Sequence, residues 1–175
     1  AYNGTFYELD DMGPVELATT SFGQRFEISP LQLISAISAI CNDGVYVEPT
    51  IVSKIVNNDA GSINSTQTNE IRQVVSEETA NSVLSMMNSV VSEGTGKNAR
   101  VEGYNIGGKT GTSEDGVNTG KYVTSFIGVV DTEEPKLTIL ITLYNPTGEG
   151  GHQGGSVAAP LAGSILKEVI EYLEI

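Results

Sequence analysis

The 175-residue chain has no tryptophan, one cysteine and one histidine, and only 9 lysines and arginines stand against 22 aspartates and glutamates. Each shortage closes off a class of function. With Cys41 alone, no disulfide can form within the chain and no thiolate cluster can hold zinc. Cys41 falls in a helical apolar pattern and reads as a small buried hydrophobe rather than a nucleophile. His152, in Gly150-Gly151-His152-Gln153-Gly154-Gly155, has no Asp–His–Ser arrangement evident around it, so it reads as a loop histidine rather than a catalytic base. No metal or cofactor site is expected. The formal charge of −13 repels nucleic acid phosphate and anionic lipid, so neither is expected as a general partner. The acids read as a solvated surface. No apolar run approaches the length of a membrane span, and no segment has the pattern of a signal peptide. The chain opens at Ala1-Tyr2-Asn3 without an initiator Met, the expectation being a processed protein or a piece of a longer one.

What remains is globular composition, 39% hydrophobic and 18% charged, long enough for one domain burying roughly 70% of its unfolded surface. Residues 1–28 carry no clear period, although residues 15–18 can start a short helix. Ser29-Pro30-Leu31-Gln32 has the form of a capping box with proline at the first helical position. Leu33, Ile34, Ile37, Ile40 and Cys41 then recur on one helical face until Asp43-Gly44 ends it. Residues 45–56 and 71–75 read as strand, with residues 57–61 a turn, residues 62–69 an exposed polar loop, and 51–75 together a hairpin excursion. Ser76 caps a second helix with Glu77 and Glu78 in its first turn and Val83, Leu84, Met87, Val90 and Val91 as its buried stripe. Met86 and Met87 read as core fillers. Beyond a polar loop at 113–121, residues 122–131 and 136–145 are two apolar strands whose short link makes them an antiparallel hairpin. A loop with five glycines spans 146–155. A last helix over 156–175 turns Ile165, Leu166, Val169, Ile170 and Leu173 inward, with Pro160 in its first turn.

The chemistry centres on Gly107-Gly108-Lys109-Thr110-Gly111-Thr112, where a lysine stands beside hydroxyls among glycines. Residues 103–110 fit the phosphate-loop pattern G-x-x-x-x-G-K-[ST] letter for letter, and residues 126–131 resemble an apolar strand ending in a magnesium-binding acid. That mechanism needs a helix starting at the Lys-Thr pair, whose free N–H groups hold the phosphates. Gly111, Gly116 and Gly120 stand where the helix would run, and residues 99–102 make a poor buried strand before it. As an extended strand, the same residues put Tyr104 and Ile106 on one face and Lys109 and Gly111 on the other. Such a strand can take a peptide along its edge through main-chain hydrogen bonds. Lys109 then offers fixed positive charge, and Thr112 offers a hydroxyl and an N–H for an oxyanion. A plain surface strand with a solvated lysine is the competing reading.

Lys109-Thr110-Gly111 is the third of the motif set S-x-x-K, S-D-N and K-T-G. With it, in order, stand Ser21-Phe22-Gly23-Gln24, Ser29-Pro30-Leu31-Gln32, Asn42-Asp43-Gly44 with Pro49 behind it, Val90-Val91-Ser92-Glu93-Gly94-Thr95-Gly96 and Ser125-Phe126-Ile127-Gly128. On these residues nearly the whole chain resembles the class B penicillin-binding proteins, the D,D-transpeptidases that crosslink peptidoglycan. The resemblance implies an α+β fold of the serine β-lactamase and transpeptidase type, an antiparallel sheet with helices on its faces. It implies that 1–175 is the C-terminal part of a single transpeptidase domain. The catalytic serine is expected upstream with S-x-x-K and S-x-N: Ser62-Ile63-Asn64 and Ser164-Ile165-Leu166-Lys167 have the letters but the wrong places.

By the same resemblance Lys109 and Thr112 are the catalytic residues of this part. Lys109 supplies potential beside the serine, and the Thr112 N–H completes the oxyanion hole. Thr110 and Thr112 bind the substrate carboxylate, and Gly111 keeps the strand open. Partners implied are D-Ala-D-Ala stem peptides, β-lactams and the upstream half of the domain. The setting implied is the outer face of the bacterial cytoplasmic membrane, with an anchor upstream. The chain alone is expected to be inactive and, through an unpaired sheet edge, to self-associate. A non-catalytic β-lactam-binding or regulatory module and a phosphate-loop nucleotide binder are the alternatives.

Overall fold

The computed structural model describes residues 4–59, 61–65, 69–116, 118 and 120–175. The first helix, α1, spans Pro14–Ser21 and buries none of its residues. Helix α2, Pro30–Cys41, begins at the capping box read from the sequence. The Gln32 N–H donates to Ser29 Oγ at 3.3 Å, and the Ser29 N–H donates to Gln32 Oε1 at 3.0 Å. Two of the donors orphaned at a helix start are thereby satisfied.

Strand β1, Val45–Val47, pairs with β4, Glu70–Gln73, and the segment between them folds back as β2, Lys54–Asn57, on β3, Ser62–Ser65. Here the structure corrects the loop expected over 62–69. Residues 62–65 lack an apolar period because both faces of the β2–β3 hairpin are exposed, yet their backbone groups pair in register from Lys54↔Ser65 to Asn57↔Ser62. Backbone pairing needs no hydrophobic face. The rest of that expected loop includes residues 66–68, which lie outside the described residues, as does residue 60 of the expected turn.

Helix α3, Glu77–Ser92, is capped by Ser76 and buries Ala80, Leu84, Met87 and Val91. Met86, expected in the core, is 66% exposed, because one residue is about 100° around a helix from Met87 and faces away from the sheet. A 3-10 turn at Lys97–Ala99 leads into the principal sheet. Its strands are β5, Ile106–Glu114, β6, Tyr122–Val130, and β7, Leu137–Tyr144, all antiparallel in the order β5-β6-β7. Helix α4 is Gly154–Leu173. It starts two residues before the expected 156, because the Ser156 and Val157 N–H groups both donate to the Gln153 carbonyl. Pro160 is therefore inside the helix. The carbonyl it leaves without a helical donor is that of Ser156, an exposed residue that water can serve.

The sheet carries a core on each face. Toward α4, Ile106, Phe126 and Val130 pack with Ala158, Ala159, Ala162, Leu166 and Ile170. Full burial of Phe126, Leu166 or Ile170 contributes about 2–3 kcal/mol each. Leu173, expected inward, is 46% exposed in the last turn of α4. On the opposite face Val129 meets Leu84 and Met87 of α3, with Ile37, Ile40 and Cys41 of α2 packed beside them. The two glycines leading into the motif make this layering possible. A Cβ on Gly108 would strike the Phe126 ring, with Ile127 O 2.7 Å away, and one on Gly107 would strike Thr132 and lie 3.2 Å from the Asn88 N of α3.

Two outcomes are expected. Gly108→Ala lowers stability by about 2 kcal/mol or more through overpacking, whereas Met86→Ala changes it by less than about 0.5 kcal/mol, both read from thermal melts. Burial also pushes the Cys41 thiol up from 9.0 to about 11. Between those values the folded chain keeps a proton that the unfolded chain has released, so Cys41 makes stability fall as pH rises. Cys41→Ser should remove that part of the alkaline slope in melts taken from pH 8 to 11.

Candidate active site on the edge of β5

The hydrogen bonds at the two ends of β5 define which of its backbone groups are free. The Asp131 N–H donates to Asn105 O, and the Asp115 N–H donates to Lys121 O, each at 2.7 Å. Between these pairs the register with β6 runs without a break from Ile106↔Val130 to Glu114↔Tyr122. In an antiparallel ladder, bonded and non-bonded pairs alternate. The odd-numbered residues of β5 therefore exchange bonds with β6. The N–H and C=O groups of Gly108, Thr110 and Thr112 point the other way. β5 is an edge strand, and of these residues Gly108 is buried while Thr110 and Thr112 are partly exposed, so the open part of the edge lies at Thr110 and Thr112.

Side chains alternate across the same strand. Lys109 and Gly111 lie on the α3 face. Thr110 and Thr112 lie on the α4 face. Lys109 is exposed, and its Nζ curls round the free edge to donate to Thr110 O at 2.8 Å. It takes no part in the ion pairs Arg25–Glu16 and Lys136–Glu134. In a chain of net charge −13, the Lys109 ammonium thus has a carbonyl partner but no carboxylate among the described residues, and it lies on the edge that carries the outward N–H groups of Thr110 and Thr112. A strand cannot place the free N–H groups of a helix start around a phosphate, so the phosphate-loop reading fails: residues 109–114 are strand where that reading needs helix.

Neighbouring elements hold the two threonine hydroxyls. The Gly154 N–H, at the start of α4, donates to Thr112 Oγ1 at 3.0 Å, and Gln153 Oε1 stands 3.5 Å from the same oxygen. The Thr110 and Thr95 hydroxyls are 3.1 Å apart. Gly111 is pressed from both sides: a Cβ on it would strike Ser125 Oγ, while a Cβ on Gly154 would lie 2.6 Å from Gly111 O. Tyr104, expected on the strand with Ile106, precedes it in a turn and is 45% exposed.

The far end of the edge is braced. Strand β5 runs on to Glu114, shortening the polar loop expected from residue 113; residues 117 and 119 of that loop are outside the described residues. The Tyr144 hydroxyl, at the end of β7, donates to Asp115 Oδ2 at 2.6 Å, and Asn118 Nδ2 donates to the same oxygen at 2.9 Å. His152 is a loop residue, stacked on Tyr122 with ring centroids 3.7 Å apart and planes 9° from parallel. Its carbonyl accepts from the buried Thr124 hydroxyl. Among the described residues no group of three or more His, Cys, Asp or Glu could hold a metal.

A family profile of the penicillin binding protein transpeptidase domain matches residues 3–167. The chain belongs to that family. Among its relatives, stage V sporulation protein D of Bacillus subtilis is 38% identical over 178 residues, covering 98% of this chain and 27% of that protein. Peptidoglycan D,D-transpeptidase FtsI of Escherichia coli is 29% identical, covering 99% of this chain and 28% of that protein. The chain thus spans about a quarter of the length of such relatives. Penicillin binding protein 3 of Mycobacterium tuberculosis, solved without ligand, superposes with a TM-score of 0.86 at 30% identity, over 99% of this chain and 42% of that one. The same protein complexed with aztreonam matches equally well, at 31% identity. The fold is accordingly the mixed helix and antiparallel sheet of penicillin-binding transpeptidase domains.

Within this family fold the structure brings Lys109, Thr110, Gly111 and Thr112 onto one edge. It does not bring Ser62 or Ser164 there: Ser62 starts the β2–β3 hairpin, and Ser164 is an exposed residue midway along α4. The sequence reading missed Thr95, Gln153 and Gly154 as neighbours of the threonine hydroxyls. Residues 90–96 were legible only as a stretch in the right order, since a hydroxyl pair formed by residues fifteen positions apart leaves no periodic trace.

The brace has a spectroscopic signature. Its hydrogen bond to Asp115, then desolvation and the carboxylate's charge, raises the Tyr144 pKa above the ordinary 10.0. Replacing the carboxylate in Asp115→Asn should move one tyrosine's ionisation to lower pH in an ultraviolet titration, and Tyr144→Phe should delete that transition.

Proposed function

We propose that this chain is the C-terminal part of the transpeptidase domain of a peptidoglycan-crosslinking D,D-transpeptidase, with the nucleophilic serine of S-x-x-K and the S-x-N motif carried upstream. The observation that bears most weight is the free edge of β5, which carries both a lysine ammonium with no ion pair among the described residues and the outward N–H of Thr112. The serine attacks the carbonyl carbon of the D-Ala–D-Ala peptide bond, and its proton passes to the departing amine of the terminal D-Ala. An amine of a neighbouring stem then attacks the acyl-enzyme ester and releases the serine.

In this reading the Thr112 N–H donates to the oxyanion that forms on attack. A preorganised donor of this kind contributes about 3–4 kcal/mol to the transition state in well-studied hydrolases. Lys109 supplies positive potential to the serine and to the substrate carboxylate. The Thr110 and Thr112 hydroxyls bind that carboxylate. β-Lactams, with an acyl group and a carboxylate in the same relation, acylate the same serine; among the relatives, the M. tuberculosis protein has been solved with aztreonam and with ampicillin. Gly111 has a second reason to be glycine, since a Cβ on it would strike Ser125 Oγ.

The upstream half of the domain is the natural cover for what this chain leaves open. β7 is half-buried along most of its length and ends the sheet, Leu31 of α2 is 61% exposed, and Leu17 of α1 is 62% exposed. The domain works on the outer face of the cytoplasmic membrane, anchored by a segment outside this chain. Among the described residues no helix is long and apolar enough to cross a membrane.

Fluorescent penicillin tests the reading. The full-length protein should become covalently labelled, and Lys109→Ala should slow labelling by about a hundredfold or more. The 175-residue chain alone should not label; a stable adduct on it would show that the nucleophile lies within these residues. Absence of labelling on the full-length protein would favour a non-catalytic module. Without the upstream half, the free edges predict self-association, and a clean monomer in sedimentation at high concentration would count against it.

A further inference from the structure

The segment between α3 and β5 touches both elements that hold the threonine hydroxyls. Thr95 Oγ1 lies 3.1 Å from Thr110 Oγ1. Three residues on, Asn98 Nδ2 donates to the Gly155 carbonyl, in the first turn of α4, at 2.7 Å. The same segment lies flush on that turn: a Cβ on Gly155 would come within 2.5 Å of Thr95 O and 3.8 Å of Thr110 Cγ2. Residues 95–98 thus bridge the edge of β5 and the start of α4.

The direction of the hydrogen bonds gives the bridge a chemical meaning. A hydroxyl has one proton and two lone pairs. At Thr112 the donor can only be the Gly154 N–H, so the Thr112 oxygen accepts and its own proton stays available. Its nearest acceptor is Gln153 Oε1, at a long 3.5 Å. At Thr110 the same outcome follows when Thr95 donates. An anion on the edge of β5 forces that choice, because a carboxylate accepts only, and each hydroxyl must turn its proton outward to meet it. A hydroxyl that accepts from behind is also a stronger donor in front. The start of α4, with its partial positive charge, favours the anion further.

We propose that Thr95 is a positioning residue for carboxylate recognition. It donates to Thr110 so that the Thr110 proton faces the substrate, while Asn98 holds the first turn of α4 where Gly154 does the same for Thr112. This rests on the assignment of Thr110 and Thr112 to the substrate carboxylate. Thr95 acts through Thr110 and need not touch the substrate.

The test uses the full-length protein and two acyl donors, a penicillin with its free carboxylate and the methyl ester of the same penicillin. Acylation rate constants are measured for wild type, Thr95→Val, Thr95→Ser and Asn98→Ala. Thr95→Val should lower the rate with the acid about tenfold and change that with the ester less than about twofold. Thr95→Ser, which keeps the donor, should restore the acid rate to within about threefold of wild type. Asn98→Ala should lower the ratio of acid to ester rates in the same direction. Equal losses with acid and ester, or a Thr95→Ser variant as impaired as Thr95→Val, would overturn the proposal by making Thr95 a packing residue. Unchanged rates in Thr95→Val would overturn it as well. Wild type that neither donor acylates would overturn the functional reading itself, and with it this inference.

Discussion

Everything the candidate site offers hangs on β5 lying flat against β6. That pairing is possible because the strand presents glycine where Phe126, Thr132 and the α3 backbone leave no room for a Cβ. The same close approach sets the alternation of backbone groups, and the alternation decides which N–H groups face outward. A one-residue slip would turn the Thr112 N–H into the sheet and exchange the faces of Lys109 and Thr110. The large side chains of the α4-face core therefore do more than stabilise. Phe126, paired across from Thr110, locks the register on which the free edge depends.

The site is assembled from three directions. β5 brings the lysine and the outward backbone groups. The start of α4 brings an N–H to Thr112. The turn after α3 brings a hydroxyl to Thr110 and an amide to α4. None of these elements carries the arrangement alone, and the two glycines at 154 and 155 are the meeting point, since a side chain at either would push α4 off β5 or off Thr95. Glycine there looks like flexibility in the sequence; in the structure it is close contact.

Much of the fold was legible. Capping residues announced α2 and α3, because a side chain that satisfies orphan N–H groups acts within four residues of its own position. The β6–β7 hairpin was visible in two dense apolar runs with a short link. Errors gathered where the deciding interaction is not local. Residues 62–65 became a strand through backbone pairing that leaves no pattern in side chains. Met86 is a core residue by composition and an exposed one by helical phase. Pro160 was read as marking the first turn of α4, yet contacts made by Gln153, Gly154 and Gly155 extend the helix past that mark.

For the site, the sequence alone was enough to single out Lys109-Thr110-Gly111-Thr112, to prefer a strand over a phosphate loop, and to place the chain in a family through motifs in order. Those conclusions rest on residue type and spacing, which the chain carries in one dimension. The tertiary structure alone decided that the Thr110 and Thr112 hydroxyls are held by Thr95 and Gly154, and that a Cβ at 111 would meet the Ser125 hydroxyl. Each of these depends on which residue lies across a sheet or against a helix end. Distances between residues far apart in sequence are set by packing, and packing is not written at any single position.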